Sequence, residues 1–453
     1  MPAENQPILL INPWIYDFAA YDLWSKPLGL LYIAAKLRHC GFSVELLDCM
    51  DIHNKNMGLE KGSRSPVRRH YGTGKFWRER ITPPDALKDI KRAYSRYGLS
   101  LPAFRRELEA VRPSAILVTS LMTYWYPGVQ KAIEIARSIH PDVPLVLGGI
   151  YASLCADHAR EFMGADYVVE GKGLEELFRI LSSEGIQPDR EPSYESFSPY
   201  PAFDLIKKPH YACILTSRGC PFRCAYCAGP FLEPEFEHRD PYHVLDELLY
   251  WKKSLGVQDF AFYDDALLID SERYLKVLLR EIAEQNGGMR FHTPNAIHAR
   301  EVDYELALLM KKSGFETIRI GLETSDFLFR RDLDCKISEG EFERAVRYLL
   351  EAGFRNEQIG AYILMGLPEQ SVDSVFCTIE AVERAGAFPY LAEYSPLPHT
   401  RLWDKALLAS RYDIASEPLF QNSSLIPCWD EERRKEIKSL KEAVLRARNR
   451  YRS

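Results

Sequence analysis

"YACILTSRGCPFRCAYCAGP", residues 211–230, decides how this chain is read. Its first part is a short apolar run ending at polar residues, the mark of a buried strand. Its second part sets Cys220, Cys224 and Cys227 in a C-x3-C-x2-C spacing, with Tyr226 just before the last cysteine. Three thiolates this close on one loop can reach one metal centre. Zinc asks for a fourth Cys or His, and a C-x2-C knuckle asks for a second knuckle; neither is nearby. An iron–sulfur cubane accepts three cysteines and leaves one iron open. The cubane is the preferred reading, with zinc and unmetallated thiols as alternatives.

Working outward, the pattern repeats downstream. Apolar runs at 211–217, 259–265, 289–295, 317–323, 359–366 and 390–396 alternate with helical stretches near 240–255, 271–286, 302–313, 338–353 and 371–386. Six such β/α units fall short of the eight of a closed barrel. An open, partial (β/α)6 barrel is therefore expected over 211–400, followed by a helical region, 401–453. The charged tail, 429–453, reads as one helix with Ile437, Leu440, Ala443, Val444 and Ala447 on a packing face.

Upstream, residues 1–182 alternate strand and helix as well. "PILLINP" (7–13), "SVELLDC" (43–49), "AILVTSL" (115–121), "PLVLGGI" (144–150) and "ADYVVEG" (165–171) are continuous apolar strands. Amphipathic helices near 29–41, 126–141 and 174–181 separate them. Such a pattern predicts an α/β domain with a doubly wound, five-stranded parallel sheet covered on both faces. Sheets of this kind bind ligands at the carboxyl ends of their strands. Those ends carry Asn12-Pro13, Asp48, Ser120, Gly148-Gly149 and Glu170-Gly171. One segment, 52–112, shows no clear strand and carries about nine more basic than acidic residues. It reads as a solvated, partly helical insertion. Its "GTGK" (72–75) lacks the G-x4-G-K-[ST] spacing of a phosphate loop. Residues 183–210, rich in Pro, Ser and charge, read as a linker.

Composition fits a globular enzyme: 46% hydrophobic, 27% charged, net charge −6 over 453 residues. That balance predicts no nucleic-acid partner. No run approaches the ~20 apolar residues of a membrane span, and no basic-then-apolar leader opens the chain, so a cytoplasmic location is expected. Of ten cysteines only the trio is clustered. Cys40, Cys49, Cys155, Cys213, Cys335, Cys377 and Cys428 read as buried, inert thiols.

The cysteine motif, its aromatic Tyr226 and its place after the first strand of a six-unit barrel resemble the radical S-adenosylmethionine (SAM) superfamily. The resemblance implies a [4Fe–4S] cluster on Cys220, Cys224 and Cys227, with SAM chelating the open iron. It also implies an electron donor such as flavodoxin or ferredoxin, and cleavage of SAM to a 5′-deoxyadenosyl radical. Carried over residue by residue, Asp264 or Asp265 would hold the SAM ammonium. Asn295 and Glu323 would meet its ribose or carboxylate. Arg319, four residues before Glu323 and on the same face by even spacing, would meet the carboxylate or pair with Glu323. Leu364, Gly366 and Glu369 approximate a G-x-I-x-G-x-x-E pattern, and "YSPLP" (394–398) would lie near adenine. His292, His298 and His399 sit near strand ends as candidate proton carriers or structural histidines.

The first domain resembles the cobalamin-binding domain fused to many radical SAM enzymes. "PLGLLYIAAKLRHCGFSVELLDCMD", "TSLMTYWYPG", "LVLGGIYAS" and "YVVEGKGLEEL" carry that likeness. It implies cobalamin near Ser120, Gly148, Gly149, Glu170 and Gly171, although the Asp-x-His-x-x-Gly ligand motif is absent. Tyr124, Trp125 and Tyr126 would face the corrin or fill a core. The expected function is methyl transfer to an unactivated carbon of a small-molecule or peptide substrate. The alternatives are a cobalamin-independent radical SAM reaction, such as rearrangement, cyclisation or sulfur insertion with Cys40, Cys49 and Cys155, and a non-catalytic iron–sulfur sensor.

Overall fold

The computed structural model describes residues 6–59, 65–285 and 287–451. The chain forms two compact units, Met1–His210 with Glu417–Leu419, and Tyr211–Ser416 with Phe420–Ser453.

The first unit is built on β1 (Ile8–Asn12), β2 (Val44–Asp48), β3 (Ala115–Val118), β4 (Leu145–Leu147) and β5 (Tyr167–Val168). They form one parallel sheet in the order β2-β1-β3-β4-β5, with Ile8 opposite both Val44 and Ala115. The strands are mostly apolar because both faces are covered, with Glu45 exposed on the edge strand β2. Leu9, Ile11, Ile116 and Val118 enter one core, while Ile8, Leu10, Ala115 and Leu117 enter the other. Helices α1 (Leu28–His39), α2 (Leu101–Glu109), α3 (Tyr126–Ile139) and α4 (Leu174–Ser183) provide the covers. The order reverses between β2-β1 and β3, the crevice where such sheets bind ligands.

Two readings of this region need correction. The 52–112 segment is neither strandless nor merely solvated. Arg78–Arg80 and Ser95–Tyr97 join Ile15–Asp17 in a three-stranded antiparallel sheet with Ser95–Tyr97 at its centre. Leu87, Tyr94, Leu99, Phe104 and Leu108 are fully buried. Its last part is α2, the crossover helix into β3, opened by Ser100, whose hydroxyl accepts from Ala103 N at 3.2 Å. Strands of three residues are too short to display an alternation. "GTGK" is a turn closed from outside: Gly74 and Asp22 exchange backbone hydrogen bonds, and Arg68 donates to the Gly72 carbonyl and the Asp22 carboxylate. Residues 183–210 also pack rather than dangle. Lys36 of α1 donates to the carbonyls of Ser193 and Glu195, Ala202 N donates to Leu31 O, and Phe203 is buried.

The second unit carries β6 (Tyr211–Ile214), β7 (Asp259–Phe262), β8 (Arg290–His292), β9 (Phe315–Glu323), β10 (Ile359–Met365) and β11 (Phe388–Glu393). All pair in parallel in sequence order, and β6 and β11 remain edges, so the barrel is open. Helices α5 (Pro241–Leu255), α6 (Leu275–Gln285), α7 (Tyr304–Ser313), α8 (Glu341–Glu351) and α9 (Val372–Ala385) alternate with the strands. Polar caps set several of their starts: Asp240 for α5, Asp303 for α7 and Ser371 for α9 accept from the first-turn amides. The tail is two helices, not one. Asp430 caps Glu431–Lys435, and α10 (Ile437–Asn449) then lays Leu440, Val444 and Ala447 against β11 and α9.

Candidate functional site

The cysteine loop leaves the carboxyl end of β6, and its base is held from two sides. Asp264, just past β7 and 2% exposed, accepts four hydrogen bonds on Oδ1: from the amides and hydroxyls of Thr216 and Ser217, at 2.6–2.9 Å. On the other side Arg239 N donates to Thr216 O, and its guanidinium donates to Leu215 O and ion-pairs with buried Glu247 at 2.5 Å. The two strands thus fix the chain three residues before Cys220.

Cys224 is buried, Cys220 partly buried and Cys227 exposed. Burial raises all three thiols, Cys224 to about 12, and the Lys336 ammonium opposes that rise at each. The thiols feel one another: Cys227 bears on both Cys220 and Cys224. Among the described residues, no three Cys, His, Asp or Glu side chains converge on one metal ion. Three thiols on one loop without a fourth Cys or His fit a cubane, which accepts three cysteines, better than a tetrahedral zinc.

Around this loop the strand ends carry the charged groups. Burial raises the Asp264 carboxyl to about 6 against its four donors, and Oδ2 is buried without a hydrogen-bond partner. Asp265 is solvent-exposed, raised to about 6 by its surroundings and then by Glu233, and its charge bears on Cys220 and Cys227. Asp264 is therefore committed to the loop, while Asp265 is open to a ligand. Glu323 is buried at a positive φ of 63° and accepts from Lys336 Nζ at 3.0 Å. The ammonium of Lys336 also stands 5.4 Å from the Tyr226 ring centroid. Burial works against the Lys336 charge, but Glu323, then Cys224 and Asp334, more than offset it and hold its pKa above the ordinary range. Lys336 escaped the sequence reading, because it lies in a patternless loop thirteen residues beyond Glu323.

Other candidates are placed less simply. Asn295 lies three residues beyond the end of β8, exposed, its amide donating to Tyr263 O at 2.8 Å. Arg319 and Glu323 do not pair. They still share a face across the register slip between Gly321 and Glu323: a Cβ on Gly321, the position between them on that face, would stand 2.9 Å from Glu323 Oε1. Arg319 turns to Tyr390 instead, at 4.5 Å from its ring centroid. In the Leu364–Gly366–Glu369 stretch, Glu369 points outward to Lys405 at 3.0 Å. Buried Gln370 shapes that turn, accepting from Gly366 N and Leu367 N and donating to Leu364 O. His292 is structural, bonded to Asp259 and Thr317, and His399 stacks on Phe231 at 4.0 Å. His298 is buried against Phe222 with Nδ1 lacking a partner. Burial, then Lys336 and Arg300, lower its pKa to about 3. Cys335 and Cys377 are exposed, not buried as expected, since each sits on the outer side of its segment.

In the first unit the ends of β3 and β4 carry small, neutral residues, Ser120 and Gly148-Gly149, while Asn12 and Asp48 end β1 and β2. Ser120 is 1% exposed; its hydroxyl donates to Gly148 O at 2.8 Å and accepts from Ala152 N, and its carbonyl accepts from Ile150 N. Ser153 then accepts from Gly171 N at 2.8 Å. The loops after β3, β4 and β5 are tied together this way. Gly149 has φ 101°, and a Cβ there would collide with the Ser120 backbone. Nothing lies within 4 Å of a Cβ placed on Gly171. Glu170 pairs outward with Arg160. Exposed Gly149, Met122 and Ile150 make an apolar shelf bare of large polar side chains. At the end of β1, Asn12, Trp14, Lys26, Pro27, Met50 and Trp125 line a narrow pocket. Tyr124 is buried, Trp125 donates to Asp17 at 2.8 Å and Tyr126 stacks on Tyr151, so this trio is mostly committed to packing. An exposed apolar surface suits a broad, flat ligand, as cobalamin is.

Comparisons with known proteins match a family to each unit. Residues 214–381 match the family model of the radical SAM superfamily, and residues 91–181 match that of the B12 binding domain. An uncharacterized methyltransferase of Pyrococcus horikoshii is 24% identical over 330 residues, covering 65% of this chain and 70% of that protein. Cytidylyl-2-hydroxyethylphosphonate methyltransferase of Streptomyces wedmorensis is 20% identical, covering 84% and 78%. Among solved structures, the radical SAM methyltransferase TsrM of Kitasatospora setae shares the fold at TM-score 0.64 and 18% identity, covering 90% of this chain and 78% of that one. No helix among the described residues is long and apolar enough to cross a membrane. The two matched domains bring a [4Fe–4S] cluster, SAM and cobalamin as cofactors. The chain is a radical SAM superfamily enzyme with a B12-binding domain in its N-terminal unit.

Proposed function

We propose that this enzyme is a cobalamin-dependent methyltransferase acting on an unactivated carbon. The observation that carries the reading is the presence, on one chain, of an open three-thiol loop and a B12-type sheet whose strand ends are cleared of bulk. The methyltransferase relatives support it. When bound, the cluster and SAM supply a 5′-deoxyadenosyl radical that removes a hydrogen atom from the substrate, and cobalamin supplies the methyl group.

The chain's own residues do the positioning. Cys220, Cys224 and Cys227 hold the cluster, and Lys336 favours their ionised forms by its charge. Asp265, rather than Asp264, accepts from the SAM ammonium, because Asp265 is exposed whereas Asp264 is buried with its Oδ1 on Thr216 and Ser217. Lys336 and Glu323 face the remaining polar groups of SAM, and Asn295 offers its carbonyl oxygen. Ser120, Gly148, Gly149 and Gly171 form the cobalamin shelf. Sulfur insertion is disfavoured because Cys40 packs in the core on one face of the first sheet, whereas Cys49 and Cys155 pack on the other. They cannot share a cluster.

The test is the absorption spectrum of protein purified with cobalamin supplied, paired with dithionite-dependent SAM cleavage. A corrin band near one per chain and release of 5′-deoxyadenosine are expected. Cleavage without a corrin band would sink methyl transfer and leave a cobalamin-independent radical SAM reaction.

A further inference from the structure

Strands β9, β10 and β11 carry on one face a cation, Arg319, without an ion pair among the described residues; Glu323, the carboxylate on the same face, is taken by Lys336 at 3.0 Å. Ile318 and Ile320 are fully buried, so Arg319 between them projects to the opposite, barrel-facing side. Arg319 stands opposite Gly360 in register, Gly321 opposite Tyr362, and Tyr362 opposite Tyr390. The missing side chain at Gly360 makes the room: a Cβ there would stand 2.6 Å from the Tyr390 ring and 3.0 Å from Arg319 Cδ. The guanidinium crosses this gap to lie 4.5 Å from the Tyr390 centroid. Nη1 donates to Ile318 O at 2.9 Å and Nη2 reaches the Tyr390 hydroxyl at 3.4 Å. A second guanidinium, from Arg448, lies 3.9 Å from the same centroid and adds to the positive potential. Tyr362, also on this face, donates to Pro294 O at 2.9 Å.

Among the described residues Arg319 has no ion pair, and none of its nitrogens is both buried and unpartnered. A guanidinium has five N–H donors in a planar fork. Here the Ile318 carbonyl, a long contact to the Tyr390 hydroxyl and the Tyr362 hydroxyl engage part of it, and no remaining nitrogen is buried without a partner. A partly buried cation without an anion costs free energy, and a fork of this shape fits carboxylate or phosphate oxygens two at a time.

We propose that Arg319, framed by Tyr362 and Tyr390, receives an anionic group of the substrate, a carboxylate or a phosphate or phosphonate. This rests on the reading of the second unit as a radical SAM barrel whose inner face takes the substrate. The substrate class is thus an organic anion, held by its charged end.

The experiment titrates the anaerobically reconstituted full chain, saturated with SAM, with acetate, methylphosphonate and neutral acetamide, by calorimetry. The wild type is expected to bind at least one anion and to bind acetamide far more weakly. The preferred anion tells carboxylate from phosphonate. Arg319→Gln is expected to weaken that binding by about tenfold or more, the worth of one charge-assisted pair. Arg319→Lys, which keeps the charge but not the fork, should fall between. Unchanged binding in Arg319→Gln, equal binding of acetamide, or anion binding seen without SAM and abolished by it would each overturn the proposal. In the last case the fork serves SAM's own carboxylate. The barrel reading is judged separately: wild-type protein that releases no 5′-deoxyadenosine with dithionite defeats that reading, whatever the anions do.

Discussion

The two parallel sheets of this chain finish their strands in opposite ways. After β3, β4 and β5 the first sheet ends in Ser120, Gly148-Gly149 and Gly171, joined by hydrogen bonds to backbone and serine hydroxyls. After β6, β7 and β9 the second ends in thiols, Asp264, Asp265 and Glu323, with Lys336 among them. One surface is defined by what is absent from it, the other by charge held out of water. A surface made by omission should be broken by adding an atom. A surface made by charge should be broken by deleting one partner and leaving the other behind.

The largest effect is expected at the thiols. Replacing Cys220, Cys224 or Cys227 with Ala should take reconstituted iron from about four per chain to near none, since a cubane left with two protein ligands is not retained. Full iron in any one variant would refute that ligand. Next comes the clamp beneath the loop. Arg239→Met strands Glu247, buried and already raised by desolvation, without its cation. A loss of about 3–5 kcal/mol in urea unfolding is expected; a loss under 1 kcal/mol would mean the pair does not hold the loop. The first sheet should answer to addition. Gly149→Ala forces a Cβ into the Ser120 backbone at φ 101°. It should cost about 2–3 kcal/mol and abolish the corrin band. Wild-type corrin loading in this variant would remove the shelf from the cobalamin site.

What was legible in the sequence follows the same division. The strands of both sheets are continuous apolar runs, and the cysteine trio is a local spacing, so both could be read directly. Glycine and serine at the ends of β3 and β4 were visible as a pattern too. Charge partnerships were not. Lys336 meets Glu323 across an irregular loop, and Arg239 meets Glu247 from outside any motif. Asp264 and Asp265 are equivalent in sequence, and only the hydrogen bonds to Thr216 and Ser217 tell them apart. The antiparallel strands Arg78–Arg80 and Ser95–Tyr97 were missed because three residues carry no period, and their partner, Ile15–Asp17, lies far upstream. The Arg319–Glu323 spacing showed the shared face but not the partners, since Glu323 pairs with Lys336 and Arg319 turns to Tyr390.

The smallest effect concerns His298, where the charged crown meets a neutral group. Phe222 packs on its ring, and the groups that bear on its charge, Lys336 and Arg300, are both cations. With burial they lower its pKa from 6.5 to about 3. Below pH 6.5 the unfolded chain takes up a proton that the folded chain refuses. Stability from this group is therefore present above 6.5 and falls by about 1.4 kcal/mol per pH unit below it. Asp264 and Asp265, raised to about 6, act in the other direction, since the folded chain binds their protons first as pH falls. The total profile is thus flattened, and the histidine emerges only as a difference. Unfolding free energies of the metal-free wild type and His298→Leu, compared at pH 7 and pH 5.5, should diverge by about 1.4 kcal/mol, with the wild type losing more. Parallel profiles would show that His298 is hydrated, and that the crown around the cluster loop is wetter than its burial implies.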